Sequence, residues 1–168
     1  MNVAAKPRSR ADIRKMANKL RELVGFDDEL YFPIVEFVEW ILANPDNGID
    51  FEILDPDEMM DTYGTTNTGA NKMRIRSDVY DGACEGNARD RFTFCHEVGH
   101  YFLHQPEAIS FARGAIPRYQ DPEWQANTFA GELMAPYNLV KGMSVAEIAE
   151  KCGMSMQAAS IQYKESHK

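Results

Sequence analysis

The sequence predicts an α+β protein, with helices packed around a small antiparallel sheet and closed by a helix pair at the C-terminal end. Three observations carry this. Apolar residues recur at three- and four-residue steps in Ser9–Val24 and Arg89–His104, the period of a helix with one buried face. Apolar and polar residues alternate in Ile49–Leu54 and Met73–Val79, the period of half-buried strands. The strands fall together between two runs of helix instead of alternating with helices. At 168 residues, 44% of them apolar, the chain is expected to form one domain whose core needs no disulfide staples. Within 1–168 it divides into N-terminal helices (1–45), a small sheet (49–80), a central core (88–136) and C-terminal helices (144–164).

The first helix, Ser9–Val24, places Ile13, Met16, Ala17, Leu20, Leu23 and Val24 on one face, and Gly25 is its stop. Pro33 suits the first turn of a second, apolar helix, Ile34–Leu42. Asn44-Pro45-Asp46-Asn47-Gly48 is turn chemistry. In the strand that follows, Ile49, Phe51 and Ile53 share one face. Pro56–Met60 is expected as a helical turn, Gly64–Asn71 as a loop or hairpin, and Asp81–Asn87 as a loop. In Met73–Val79, Met73 and Ile75 face away from Arg74 and Arg76. Gln105-Pro106 ends the Arg89–His104 helix, and Ala108–Ala112 is a short strand. Asp121-Pro122 caps and opens a helix running to about Met134. Ser144 caps Val145–Lys151, Gly153 breaks it, and Ser155 starts a last helix to about Lys164.

Composition excludes several classes. No stretch approaches the ~18–20 apolar residues of a membrane span, and no apolar segment follows the basic N-terminus as a secretory signal requires. Cys84, Cys95 and Cys152 are odd in number, irregularly spaced and outside any CxxC, so a reducing, cytoplasmic setting is expected. The formal net charge of −8 argues against a general nucleic-acid binder, because phosphate contacts need a basic surface. The charge serves solubility, or steers a basic partner.

The chemistry centres on His96-Glu97-Val98-Gly99-His100, an HExxH inside a credible helix. Residues four apart on a helix lie about 40° apart and one turn, ~5.4 Å, along the axis, so the two imidazoles can grip one metal ion. Glu97 is rotated about 100° from His96 and flanks the metal as a candidate catalytic base. Zinc suits such ligands, one ion per chain. His104 continues the row but lies ~12 Å from His96 along an unbroken helix, too far for shared ligation at ~2 Å. It is expected behind the ligands, or in a purely structural role. His167 belongs to a solvated tail. Glu123 is the candidate third ligand, with Asn127 on the same face placed to orient a histidine by its free ring nitrogen. Spacing alone leaves Glu123 open between a ligand and an ordinary first-turn acidic residue favoured by the helix dipole.

Two blocks here resemble the ImmA/IrrE-type metallopeptidases. Arg91-Phe92-Thr93, His96-Glu97-x-Gly99-His100 and Leu103-His104 look like the family's zincin-like active-site helix. Glu123-x-x-Ala126-Asn127-x-Phe129-Ala130, Glu132-Leu133 and Pro136 match the second block, with Gly131, Met134 and Ala135 as small or apolar departures, and Cys95 standing where Ala is usual. The resemblance implies His96, His100 and Glu123 as zinc ligands and Glu97 as catalytic acid/base. It also implies an endopeptidase whose protein substrate is a helix-turn-helix repressor. The alternative is a non-catalytic zinc-binding regulator, or a toxin–antitoxin-like partner, that acts on a repressor by binding it.

Three expectations remain. Met73–Val79 is the candidate sheet edge for an extended substrate, with an internal strand as the alternative. Ser144–Ser155 has a helix-turn-helix cadence, but the second helix carries only Lys164 as a basic residue, which favours a packed helix pair over DNA binding. Tyr63, Tyr101, Tyr119 and His104 are the candidates for stabilising an oxyanion.

Overall fold

The computed structural model describes residues 1–168. The fold is α+β. Its first helix, α1 (Arg10–Val24), starts where Ser9 accepts from the Asp12 N–H and Asp12 answers the Ser9 N–H, and ends at Gly25 in the left-handed region. The second helical segment begins as α2 (Ile34–Glu36) and continues as a π-helix over Phe37–Leu42, closed by the Ala43 N–H on the Val38 carbonyl. It buries Phe37, Val38 and Leu42 and leaves Trp40 and Ile41 exposed.

The central sheet has the order β2 (Asp50–Leu54), β4 (Lys72–Arg76), β3 (Gly64–Asn67). Gly64–Asn71 forms the expected hairpin, with β3 antiparallel to β4. The β2 strand joins β4 in parallel, so the sheet is mixed, because the chain crosses over through α3 (Pro56–Met59) before returning. This corrects the edge assignment: β4 lies in the middle, and β3 is the outer strand beside the functional helix. The buried pair Met73 and Ile75 faces inward as the alternation predicts. On β2 the pattern fades. Phe51 meets Phe94, ring centroids 6.0 Å apart, but Ile53 stays exposed.

Two elements differ from the sequence expectation. Ser77–Cys84 is a helix, α4, where a strand end and a loop were expected. At its Gly82 the Asp90 side chain fills the space a Cβ would take, with Oδ2 1.8 Å from that position, so a larger residue there would have to push the Asp90 carboxylate aside. The N-terminal residues Asn2–Ala5 form β1, antiparallel to β5 (Ile109–Ala112), a pairing of residues over 100 positions apart.

The long helix α5 (Ala88–Leu103) runs through the centre and packs chiefly on α6 (Pro122–Met134). Phe94, Cys95, Val98 and Leu103 of α5 and Phe129, Ala130, Leu133 and Met134 of α6 belong to one continuous apolar core with Ile13 and Ala17 of α1. Gly99 permits the close approach, because a Cβ there would lie 3.2 Å from the Ala126 backbone and from Phe129 Cβ. Polar pins complete the frame. Buried Arg21 donates to the Leu133, Phe26, Glu29 and Leu30 carbonyls, closing the C-terminal end of α6. Buried Glu132 accepts from Arg10 and Arg14, which ties α1 to α6. After a short turn, α7 (Tyr137–Val140), the pair α8 (Val145–Cys152) and α9 (Met156–Ser166) pack on each other and on the core. No helix is long and apolar enough to cross a membrane.

Candidate metal centre

Helix α5 starts at Asn87, whose side chain accepts from the Asp90 N–H, and its regular geometry carries His96 and His100 to one face. Their rings meet edge-on, centroids 4.6 Å apart, with the two Nε2 atoms 3.0 Å apart. Helix α6 starts at Asp121, which accepts from the Glu123 N–H, and this cap sets Glu123 in the first turn. The Glu123 carboxylate lies 3.0 Å from His96 Nε2 and 3.3 Å from His100 Nε2. Donor atoms of the three residues therefore converge within 4.8 Å of one another. Separations near 3.3 Å are what tetrahedral ligands at ~2.0 Å from a shared zinc would show. The donor set, two imidazole nitrogens and a carboxylate oxygen, fits such an ion.

The electrostatics follow from this crowding. The two imidazoles hold the Glu123 carboxyl far below the usual carboxylate range, against a smaller opposing effect of burial. At His96, burial disfavours the charged ring, but the Glu123 and Glu97 carboxylates together outweigh it and raise the pKa.

Glu97 is buried and points to the β3 side of the helix. Thr66 Oγ1 donates to its Oε1 at 2.7 Å, and Thr68 Oγ1 donates to the His104 carbonyl at 2.7 Å, so the β3 hairpin is stitched to α5 at two points. Gly64 makes room for this: a Cβ there would lie 3.1 Å from Glu97 Cγ.

Around the imidazoles, Asn127 Oδ1 is 2.8 Å from His96 Nδ1. His104 caps the C-terminal end of α5 and is buried, with Nδ1 2.8 Å from His100 Nδ1 and Nε2 3.0 Å from Gln125 Oε1. Burial lowers its pKa to about 4, so the ring is neutral near pH 7. His167 is exposed at the chain end, stacked on Tyr163. Sequence reasoning missed Thr66, Thr68 and Gln125. The threonines stand in a polar hairpin with no apolar pattern to place it. Gln125 carried a usable signal, a neutral polar residue inside an otherwise apolar packing block.

The imidazoles, Glu123, Glu97 and Asn127 open on a cleft of about 670 Å³ walled by Asp61–Thr66 on one side and Phe92–Thr93 on the other. Among the four oxyanion candidates, Tyr63 lines this cleft. Its ring is also covered by Arg76, 4.6 Å from the centroid. A helix pair that brings two imidazoles and a carboxylate together beside a sheet edge, with a second carboxylate in the cleft wall, fits a metallopeptidase-type protein. The chain matches the IrrE N-terminal-like domain family, peptidase M78, over residues 49–163, more than half its length, and belongs to that family. The family implies a metal and a protein substrate. The comparison with curated proteins returns no match.

Proposed function

We propose that the protein is a zinc-dependent endopeptidase that cuts a helix-turn-helix transcriptional repressor, acting in the cytoplasm as one working unit over residues 1–168. The observation that carries this is the convergence of His96, His100 and Glu123 in a cleft that also holds the Glu97 carboxylate.

In this reading His96 Nε2, His100 Nε2 and one Glu123 oxygen would hold one zinc ion. Zinc bound there supplies Lewis acidity to water and to the scissile carbonyl. Asn127 fixes the ring of His96 through Nδ1. Thr66 engages Glu97 Oε1, which leaves Oε2 to take the proton of the attacking water and return it to the leaving amine. The outer edge of β3 beside Glu97 suits an extended substrate segment, which would add to the sheet as a further strand. The net charge of −8 favours encounter with a basic DNA-binding protein. Three free cysteines suit a reducing compartment.

The test is to incubate zinc-loaded wild type and Glu97→Gln with a helix-turn-helix repressor, sought first in a neighbouring open reading frame, and to map products by mass spectrometry. Discrete products from the wild type alone are expected. An intact repressor that loses DNA binding with both proteins would overturn proteolysis in favour of regulation by binding.

A further inference from the structure

We propose that Gln125 and His104 form a positioning relay that fixes His100 as its Nδ1–H tautomer, turning the Nε2 lone pair toward Glu123 and His96. The inference rests on the reading of that cluster as a metal centre. Gln125 is fully buried, and its amide nitrogen donates to two backbone carbonyls, Lys6 at 2.9 Å and Tyr119 at 2.7 Å. Both amide hydrogens are therefore committed, and the amide cannot flip without setting its oxygen against two carbonyl oxygens. Gln125 Oε1 is thus the atom that faces His104, and an oxygen that only accepts requires a hydrogen on His104 Nε2.

The His104 ring is buried, and its two nitrogens meet only Gln125 Oε1 and His100 Nδ1 as hydrogen-bond partners, so the neutral form is the one the site accommodates. Its Nδ1 then carries a lone pair. The atom opposite, 2.8 Å away, is His100 Nδ1, and two lone pairs do not face each other at that distance. His100 Nδ1 must donate, which leaves its Nε2 bare toward the centre. The outer anchor is the N-terminal segment: Lys6 accepts from Gln125 through its carbonyl, and its own N–H donates to the Ala108 carbonyl at 2.7 Å. Without the relay, His100 is free to place its hydrogen on Nε2. It would then hydrogen-bond to Glu123 instead of sharing a metal with it.

The test compares His104→Leu with His104→Asn. Leucine fills the space and offers no acceptor. Asparagine is smaller but sets its Oδ1 near the position of the lost Nδ1. Zinc affinity by chelator competition, thermal unfolding and ¹⁵N NMR of the histidine rings in the metal-free protein are the readouts. In the wild type, NMR is expected to show hydrogen on His100 Nδ1 and on His104 Nε2. His104→Leu is expected to lose about 10- to 100-fold in zinc affinity, as for other residues that orient a ligand. His104→Asn is expected to recover most of that loss while unfolding at no higher temperature than His104→Leu. Wild-type affinity in His104→Leu, affinity that follows thermal stability across the pair, or an Nε2–H tautomer at His100 in the wild type would each overturn the relay. If the wild type binds no zinc, the metal-centre reading fails, and the NMR result still decides the relay.

Discussion

Replacing Gly99 by alanine tests whether the spacing of α5 and α6 is what assembles the metal centre. The added Cβ would lie 3.2 Å from Ala126 Cα, from the Ala126 carbonyl oxygen and from Phe129 Cβ. Comfortable carbon–carbon contact is about 3.5–4.0 Å, so α6 must give way by a few tenths of an ångström at this crossing. Two of the three contacts are backbone, and no rotamer change relieves them. Overpacking of this kind costs about 1–3 kcal/mol, while alanine regains about 1 kcal/mol of helix propensity over glycine. The net loss is therefore about 0–2 kcal/mol, which at the upper end is about 4–8 °C in Tm for a chain of this size. The effect on zinc should be larger in proportion. His96 and His100 ride on α5 and Glu123 on α6, at 3.0–3.3 Å from each other, and a site tolerates only about ±0.2 Å in its ligand distances. Chelator competition and thermal unfolding on the same preparations give both numbers. Gly99→Val should worsen both. A Gly99→Ala protein that is more stable than wild type and binds zinc as tightly would refute the claim that helix proximity sets the site.

Other consequences follow from the same frame. His96→Ala, His100→Ala and Glu123→Ala should each abolish stoichiometric zinc binding in metal analysis, and undiminished zinc in Glu123→Ala would remove that residue from the ligand set. Thr66→Val deletes a hydrogen bond to a carboxylate, worth about 1.5–3 kcal/mol, and should lower kcat roughly ten- to a hundredfold with zinc retained. Unchanged turnover would show that Thr66 does not position Glu97. Glu132→Gln breaks a fully buried carboxylate away from Arg10 and Arg14 and should cost about 3 kcal/mol in urea unfolding; a loss below about 1 kcal/mol would refute its role as a pin. Burial raises the Cys95 thiol to about 12 and the Cys152 thiol to about 11, which keeps both protonated and unreactive at pH 8. Exposed Cys84 should therefore take up an alkylating reagent first in the native protein, and prompt labelling of all three would contradict the packing around α5 and α8.

The parts of the fold written in local chemistry were legible in the sequence. Asp121 and Ser144 cap the helices they were expected to cap, Ser9 turns out to cap the helix that was expected to begin with it, and Gly25 and Gly153 adopt the left-handed conformations that end them. The HExxH spacing carries its own geometry, so the facing of His96 and His100 follows from helix pitch. What was hidden depends on distant partners. The β1 strand has no meaning until β5 lies beside it. The β2 strand could not announce a parallel partner, because alternation fixes which side chains face inward but not strand direction. Helix α4 was obscured by Gly82, a helix-weakening residue whose side-chain space the Asp90 carboxylate fills. Thr66 sits on a strand with no apolar residues at all, and its relation to Glu97 exists only once the hairpin folds over α5.

The most direct measurement of the central claim is zinc K-edge X-ray absorption on the reduced protein loaded with one equivalent of zinc. Nitrogen and oxygen ligands at about 2.0–2.1 Å are expected, with outer-shell scattering from two imidazoles and no sulfur near 2.3 Å. A sulfur contribution from Cys84, Cys95 or Cys152, or the signature of fewer than two histidines, would contradict a centre built from His96, His100 and Glu123.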